Sequence, residues 1–142
     1  NIEIRQNVGT QNMFIFGLQS EEVEQLREQG YDPKKHFQKS EALMEAFELI
    51  RSGFFSPQEP QRYQPILDSL LEHGDRFMVV ADFESYRQCQ RRVEEAYRDR
   101  QLWTRMSIAN AANVGKFSSD RTIRQYAEEI WNVTPVPVTL KS

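Results

Sequence analysis

Cysteine is nearly missing from these 142 residues: Cys89 stands alone, so no internal disulfide can form. A lone thiol fits a reducing compartment, and a cytoplasmic protein is expected. Histidine is almost as scarce, with His36 and His73 as the two representatives. A metal site needs several convergent ligands, and His36, His73 and Cys89 have no ligand-like spacing. A cysteine nucleophile needs a histidine base, and nothing in the spacing brings either histidine to Cys89. The six glycines are dispersed singly, which excludes a glycine-rich phosphate loop. Strong charge of one sign is also lacking: 21 acidic and 18 basic side chains leave a net charge of -3, with no general attraction for nucleic acid or anionic membranes. Apolar runs such as Met13-Phe14-Ile15-Phe16 and Phe77 to Ala81 fall far short of the ~20 residues a bilayer requires. The amino terminus, Asn1-Ile2-Glu3-Ile4-Arg5, has no signal-peptide pattern and no initiating methionine, so the chain is expected to begin inside a longer protein.

What is present is a core-forming composition. Hydrophobic residues make up 39% and aromatics 11%, enough to argue against disorder despite 27% charged residues. The length suits one domain. Glu3 to Val8 reads as a helical turn. Met13 to Phe16, followed by Gly17, has the length and apolarity of a buried strand. Ser20 is positioned to cap a helix with Glu21 and Glu22 in its first turn, Val23 and Leu26 inward and Gly30 as its stop. Ser40 opens another, with Leu43, Met44, Phe47 and Ile50 on one face and Gly53 at its end.

Phe54 to Pro60 reads as an ordered connection pinned to the core by its paired phenylalanines. Pro65 suits the first turn of a helix that buries Ile66, Leu67, Leu70 and Leu71 and stops at Gly74. Phe77 to Ala81 reads as a second buried strand, closed by Asp82 as the cap of a long helix from Phe83 to Arg98. Leu102, Met106 and Ala109 continue a helical pattern to the Asn113-Val114-Gly115 break, with Trp103 and Met106 expected to face the core. Ser118 or Ser119 then caps a last helix bearing Ile123, Tyr126, Ala127, Ile130 and Trp131, and residues 133–142 form an irregular tail. The expectation is one partial domain over residues 1–142, mainly helical with about two short buried strands. Two strands make a poor sheet, so further strands are expected elsewhere in a parent protein.

Acidic pairs such as Glu21-Glu22, Glu94-Glu95 and Glu128-Glu129 are adjacent, which on a helix splays them about 100° apart and makes them solvated faces. Lys116-Phe117-Ser118-Ser119-Asp120-Arg121 gathers two hydroxyls and two cations at a helix start. An anion site is one reading. A serine cap with Asp120 on the helix dipole is the other, and Asp120 favours it.

The run Gly115-Lys116-Phe117-Ser118-Ser119-Asp120-Arg121-Thr122-Ile123, continuing through Gln125-Tyr126-Ala127 to Glu129-Ile130-Trp131, resembles the carboxy-terminal signature of the α-glucan (glycogen, starch or maltodextrin) phosphorylases. Asn1 to Ile4, Phe14 to Gly17, Gly30-Tyr31, Ser52 to Pro57, Asp75 to Phe77, Ala81 to Phe83 with Tyr86 and Cys89-Gln90, and Trp103 to Met106 resemble the same family in the same order. The resemblance covers essentially the whole chain. It implies an α/β parent, a GT-B glycosyltransferase in which this region completes the second of two Rossmann-like lobes. It implies an enzyme that releases glucose 1-phosphate from α-1,4-glucan with inorganic phosphate, in glycogen degradation. The implied cofactor is pyridoxal phosphate, whose phosphate donates and accepts protons near the substrate phosphate.

The family's cofactor lysine lies in a Gly-Thr-Gly-Asn-Met-Lys stretch, which this chain lacks; Lys34, Lys35, Lys39, Lys116 and Lys141 do not occupy that motif. No catalytic, cofactor-binding or metal residue is therefore expected here. The implied role is structural support of the cofactor lobe, inactive in isolation, with the rest of the phosphorylase chain as partner, no nucleic acid or membrane, and self-association of the isolated piece. The alternative is a stand-alone helical interaction module without catalysis.

Overall fold

A computed structural model describes Ile2–Thr134 and Val136. Its elements fall into two compact units, one formed by residues 1–14 with 95–142 and the other by residues 15–94. Among the described residues every regular element is helical.

The second unit holds α2 (Ser20–Glu28), α3 (Pro33–Phe37), α4 (Glu41–Arg51), α5 (Gln64–Leu71) and most of α6 (Val79–Arg98). Local signals explain most of the helix starts. The Ser40 hydroxyl accepts the Leu43 N–H at the head of α4, and Asp32 accepts the Lys34 N–H at the head of α3, with Pro33 at its first position. At α2 the cap is Gln19, whose backbone N–H is bonded by the Glu22 carboxylate, and Ser20 is already helical. Gly53 follows α4 at φ +77, and a Cβ there would come within 2.9 Å of Pro60, so the turn tolerates only glycine. The core of this unit is Leu43 and Phe47 of α4, Leu67 and Leu71 of α5 and Val80 of α6, flanked by Phe37, Ile50, Leu70 and Phe83. These are the apolar faces that the helical spacing marks out.

Neither expected strand is present. Phe77 to Ala81 instead leads into and opens α6. Phe77 is 78% exposed and Val79 50% exposed, whereas Met78 and Val80 are buried. Burial on one side alone, with no neighbouring strand to take up the backbone, leaves the helix as the conformation that satisfies each N–H internally. Asp82 is therefore not a cap. It lies inside α6, and its carboxylate accepts the Leu18 N–H at 2.8 Å while Ser85 Oγ accepts the Gly17 N–H at 3.0 Å. Gly17 sits at φ +91 with Asp82 Oδ2 2.8 Å from where a Cβ would be, so this chain entry is built for glycine.

The Met13 to Phe16 run is likewise a loop. Met13 is extended, at φ -133 and ψ 148, but pairs with no strand. Within the second unit the Phe16 ring meets Tyr86 edge-on at 5.1 Å, and the Ile15 carbonyl accepts from the Arg92 guanidinium at 3.1 Å. The connection from Phe54 to Pro60 is ordered by successive turns, yet its phenylalanines are not pinned inward: Phe54 and Phe55 pack on each other at 5.2 Å and face solvent.

The first unit contains α1 (Ile2–Val8), a 3-10 turn at Thr10–Asn12, the last residues of α6, α7 (Arg100–Asn113), a 3-10 turn at Gly115–Phe117 and α8 (Ser119–Gln125), which runs on as a π-helical turn over Tyr126–Ile130. Asp99 caps α7 by accepting the Gln101 and Leu102 N–H groups, each at 3.0 Å. Val8, Ala96 and Met106 are buried in this unit. Trp103 is only half-buried, so of the two residues expected to face the core Met106 alone does so fully. In the 133–142 segment the Val133 N–H bonds the Ala127 carbonyl, and Pro135 and residues 137–142 lie outside the described residues. No helix among the described residues is long and apolar enough to cross a membrane.

Candidate functional site

The residues with the most chemical potential in the sequence are kept apart or used structurally. Cys89 is 2% exposed on α6. The His36 ring packs against Tyr31 at 5.3 Å, and His73 is exposed beyond α5. Among the described residues no three His, Cys, Asp or Glu side chains gather as a metal site.

The Lys116 to Arg121 cluster takes its capping form. Ser118 Oγ accepts the Arg121 N–H at 3.4 Å, and the Arg121 guanidinium turns back to the Lys116 carbonyl at 2.7 Å. One of its two cations is thus spent on the backbone. Asp120, Glu128 and Glu129 line the adjoining groove together with Arg121 and Arg124, so three carboxylates offset the two guanidinium groups and leave no net positive field to hold an anion.

Two constellations emerge that the linear sequence does not advertise. The first, in the second unit, is centred on Asp75, a carboxylate 2% exposed. It accepts the Val79 N–H at 2.9 Å, the Val80 N–H at 2.8 Å and the Tyr31 hydroxyl at 2.8 Å. Burial, then the hydrogen bond to Asp75 and its negative charge, raise the Tyr31 phenol well above the ordinary tyrosine range. Such a phenol keeps its proton and serves as a fixed donor, not as a base. The sequence signal was Gly74-Asp75 just ahead of an apolar run, a helix-start pattern hidden by reading that run as a strand.

The second is an open groove of about 490 Å³ in the first unit, lined by Asn12, Met13, Phe14, Trp103, Met106, Ser107 and Asn110. The Phe14 and Trp103 rings are stacked, 6.3 Å apart at 23°, and Tyr97 meets Trp103 edge-on at 5.1 Å. Asn110 ties the groove walls together by donating to the Asn12 carbonyl at 2.7 Å and the Met106 carbonyl at 2.9 Å.

These constellations position turns and shape a surface; neither joins a nucleophile to a base. Comparison with known proteins supplies the parentage. The family model described as carbohydrate phosphorylase matches residues 1–133. A glycogen phosphorylase of Synechocystis is 48% identical over 99% of this chain. The muscle form of Mus musculus glycogen phosphorylase and the brain form from Homo sapiens are each 47% identical over 95% of it. The chain spans about 16% of the length of these relatives. With nearly its whole length matched by the family model, the chain belongs to the carbohydrate phosphorylase family.

Proposed function

We propose that this chain is the carboxy-terminal part of an α-1,4-glucan phosphorylase, an enzyme of glycogen degradation in the cytoplasm that converts glucan and phosphate into glucose 1-phosphate and a shortened glucan. The observation that carries the reading is the pairing of near-complete coverage of this chain with only 16% coverage of the glycogen phosphorylases it resembles. In the parent, residues 1–142 complete the second Rossmann-like lobe of a GT-B glycosyltransferase and support its cofactor-bearing part.

The cofactor of that parent is pyridoxal phosphate, and the residues here do not fit it. Lys34, Lys35, Lys39 and Lys116 are all exposed, and Lys141 lies outside the described residues. Lys39 lines a groove with Arg87 and with Glu41, Glu45 and Glu84, and the three carboxylates outnumber the two cations, which disfavours a phosphate. The catalytic, cofactor-binding and substrate phosphate residues accordingly belong to the rest of the parent, and this chain carries none of them.

The isolated chain is expected to release no glucose 1-phosphate from glycogen and to hold no pyridoxal phosphate covalently. Co-expression with the remainder of a phosphorylase is expected to restore phosphorolysis. The reading frame upstream of Asn1 gives an independent check: an in-frame Gly-Thr-Gly-Asn-Met-Lys stretch supports the phosphorylase, whereas a start codon at Asn1 supports a stand-alone helical module. Stoichiometric cofactor trapped by borohydride on one lysine of the isolated chain would contradict this assignment.

Separated from its partner, the rest of the phosphorylase chain, the piece is expected to self-associate. Ile123 is 58% exposed, Ile130 63% and Trp131 56%, so α8 and the turn after it present an apolar face to water. Exchange of this element between two copies about the Val114-Gly115-Lys116 region restores its burial. Light scattering over a concentration series should show a dimer or larger species; a monomer persisting to millimolar concentration would contradict it.

A further inference from the structure

We propose that the apolar pocket formed in the second unit by the end of α4, the start of α5 and the connection between them docks an apolar segment of the rest of the phosphorylase chain, an inference that rests on the phosphorylase reading above. Ile50, Phe55, Tyr63 and Ile66 line this pocket of about 280 Å³. Ile50 flanks the core of the unit, so the pocket opens onto the edge of that core. Phe54 packs edge-on against Phe55 at 5.2 Å beside it. Phe54, Phe55 and Ile66 are each more than half exposed, although the paired phenylalanines and the spacing of α5 mark all three for burial. Three side chains addressed to a core thus meet water around one pocket. The chain spans about 16% of the length of its relatives, and the remainder of such a parent is the natural cover.

The aromatic wall is fixed before anything docks. Gly53 turns the chain at φ +77, the Ser56 N–H bonds the Gly53 carbonyl at 2.9 Å, and the Glu59 N–H bonds the Ser56 carbonyl at 3.0 Å. Ordered turns therefore hold both phenylalanines outward, and little ordering is left for docking to impose. The lining chemistry selects the occupant. Tyr63 brings the one polar side-chain group among the four lining residues, whereas a sugar, nucleotide or ion needs several that converge. The neighbouring charges pair with each other, Arg51 with Glu48 at 3.2 Å and Arg62 with Glu59 at 3.9 Å, and so call for no charged partner. Aliphatic and aromatic side chains of a packed protein segment meet these terms, with Phe55 as the anchor of the contact.

The test is co-expression of the tagged chain with the remainder of a phosphorylase. The unaltered chain should recover that remainder, Phe55→Asp should recover at least tenfold less, and Phe55→Leu, which keeps an apolar anchor, should stay within about twofold of the unaltered chain. Should Phe55→Asp misfold by circular dichroism, hydroxyl-radical footprinting of the unaltered chain decides: oxidation of Phe54 and Phe55 should be high in the chain alone and fall at least fivefold in the complex. Undiminished recovery by folded Phe55→Asp, or undiminished oxidation in the complex, overturns the site. Protection of both phenylalanines in the chain alone would assign the pocket to a second copy and overturn it as well. Phosphorolysis restored without protection of Phe54 and Phe55 sinks the pocket and spares the phosphorylase reading. Recovery and protection without phosphorolysis support the pocket and sink that reading, and failure of the unaltered chain to recover the remainder contradicts both.

Discussion

Replacing Phe47 by alanine is expected to lower the stability of the second unit by about 3–5 kcal/mol, read as a fall in the urea midpoint of far-ultraviolet circular dichroism. Phe47 is 3% exposed and sits at the centre of the α4 face, with the Phe37 ring 4.8 Å away and Leu43, Leu67, Leu71 and Val80 completing the cluster. Truncation removes the transfer energy of the ring and leaves a cavity that four helices must close. Their backbones are fixed by caps and turns, so collapse into that space is limited. Small domains have only about 5–15 kcal/mol in total, and the loss is therefore a large share of it. Leu49, on the same helix but 42% exposed, is the control: Leu49→Ala should stay within about 0.5 kcal/mol. A Phe47 effect below about 1 kcal/mol would mean that α4 does not pack through this face.

That core was legible from spacing alone. Leu43, Phe47 and Ile50 recur at helical intervals behind a serine cap, and Leu67 and Leu71 do the same behind Pro65, so local chemistry and burial agree. The misreading of Phe77 to Ala81 as a strand, and with it of Asp82 as a cap, has one cause. A continuous apolar run such as Phe77 to Ala81 has the same composition whether it becomes a strand or the first turn of a helix, and periodicity over five residues cannot separate the two. The sequence resembles a strand of a larger sheet, and in this chain no described strand is available to pair with it. The short α3 escaped notice although Asp32-Pro33 carries the signal, because five residues with Pro33 buried and Phe37 packed on the core are too few to show a helical period.

The Lys116 to Arg121 cluster was legible in its capping form, since Ser118 and Asp120 already state that chemistry. The aromatic groove was not. Its closing hydrogen bond joins residues 98 positions apart, and no local pattern reports such a meeting. Parentage was legible through motifs whose order along the chain composition cannot mimic, and the family match over residues 1–133 agrees with it.

Asp75→Ala is expected to cost about 3–4 kcal/mol, through three effects at one carboxylate. It removes the acceptor for the Val79 and Val80 N–H groups that open α6, and Val80 is 4% exposed, so its donor is stranded away from water. It orphans the Tyr31 hydroxyl. It also sets alanine at φ +42, a left-handed conformation that aspartate and asparagine tolerate better. Asp75→Gly relieves the third effect alone and should recover about 1 kcal/mol, while Asp75→Asn keeps one acceptor oxygen and should fall between wild type and alanine.

The same hub sets a pH dependence. Because burial and Asp75 raise the Tyr31 phenol, the folded state holds that proton more tightly than the unfolded chain does. The resulting stability is fully present below the ordinary tyrosine value of about 10 and is lost progressively as pH rises above it. Thermal melts between pH 8 and 11 should therefore fall more steeply for the wild type than for Tyr31→Phe, whose position 31 cannot ionise. Equal slopes for the two proteins would show that the Tyr31 to Asp75 bond is not kept in solution. Asp75→Ala destabilising by less than about 1 kcal/mol would show that α6 finds its start without this carboxylate.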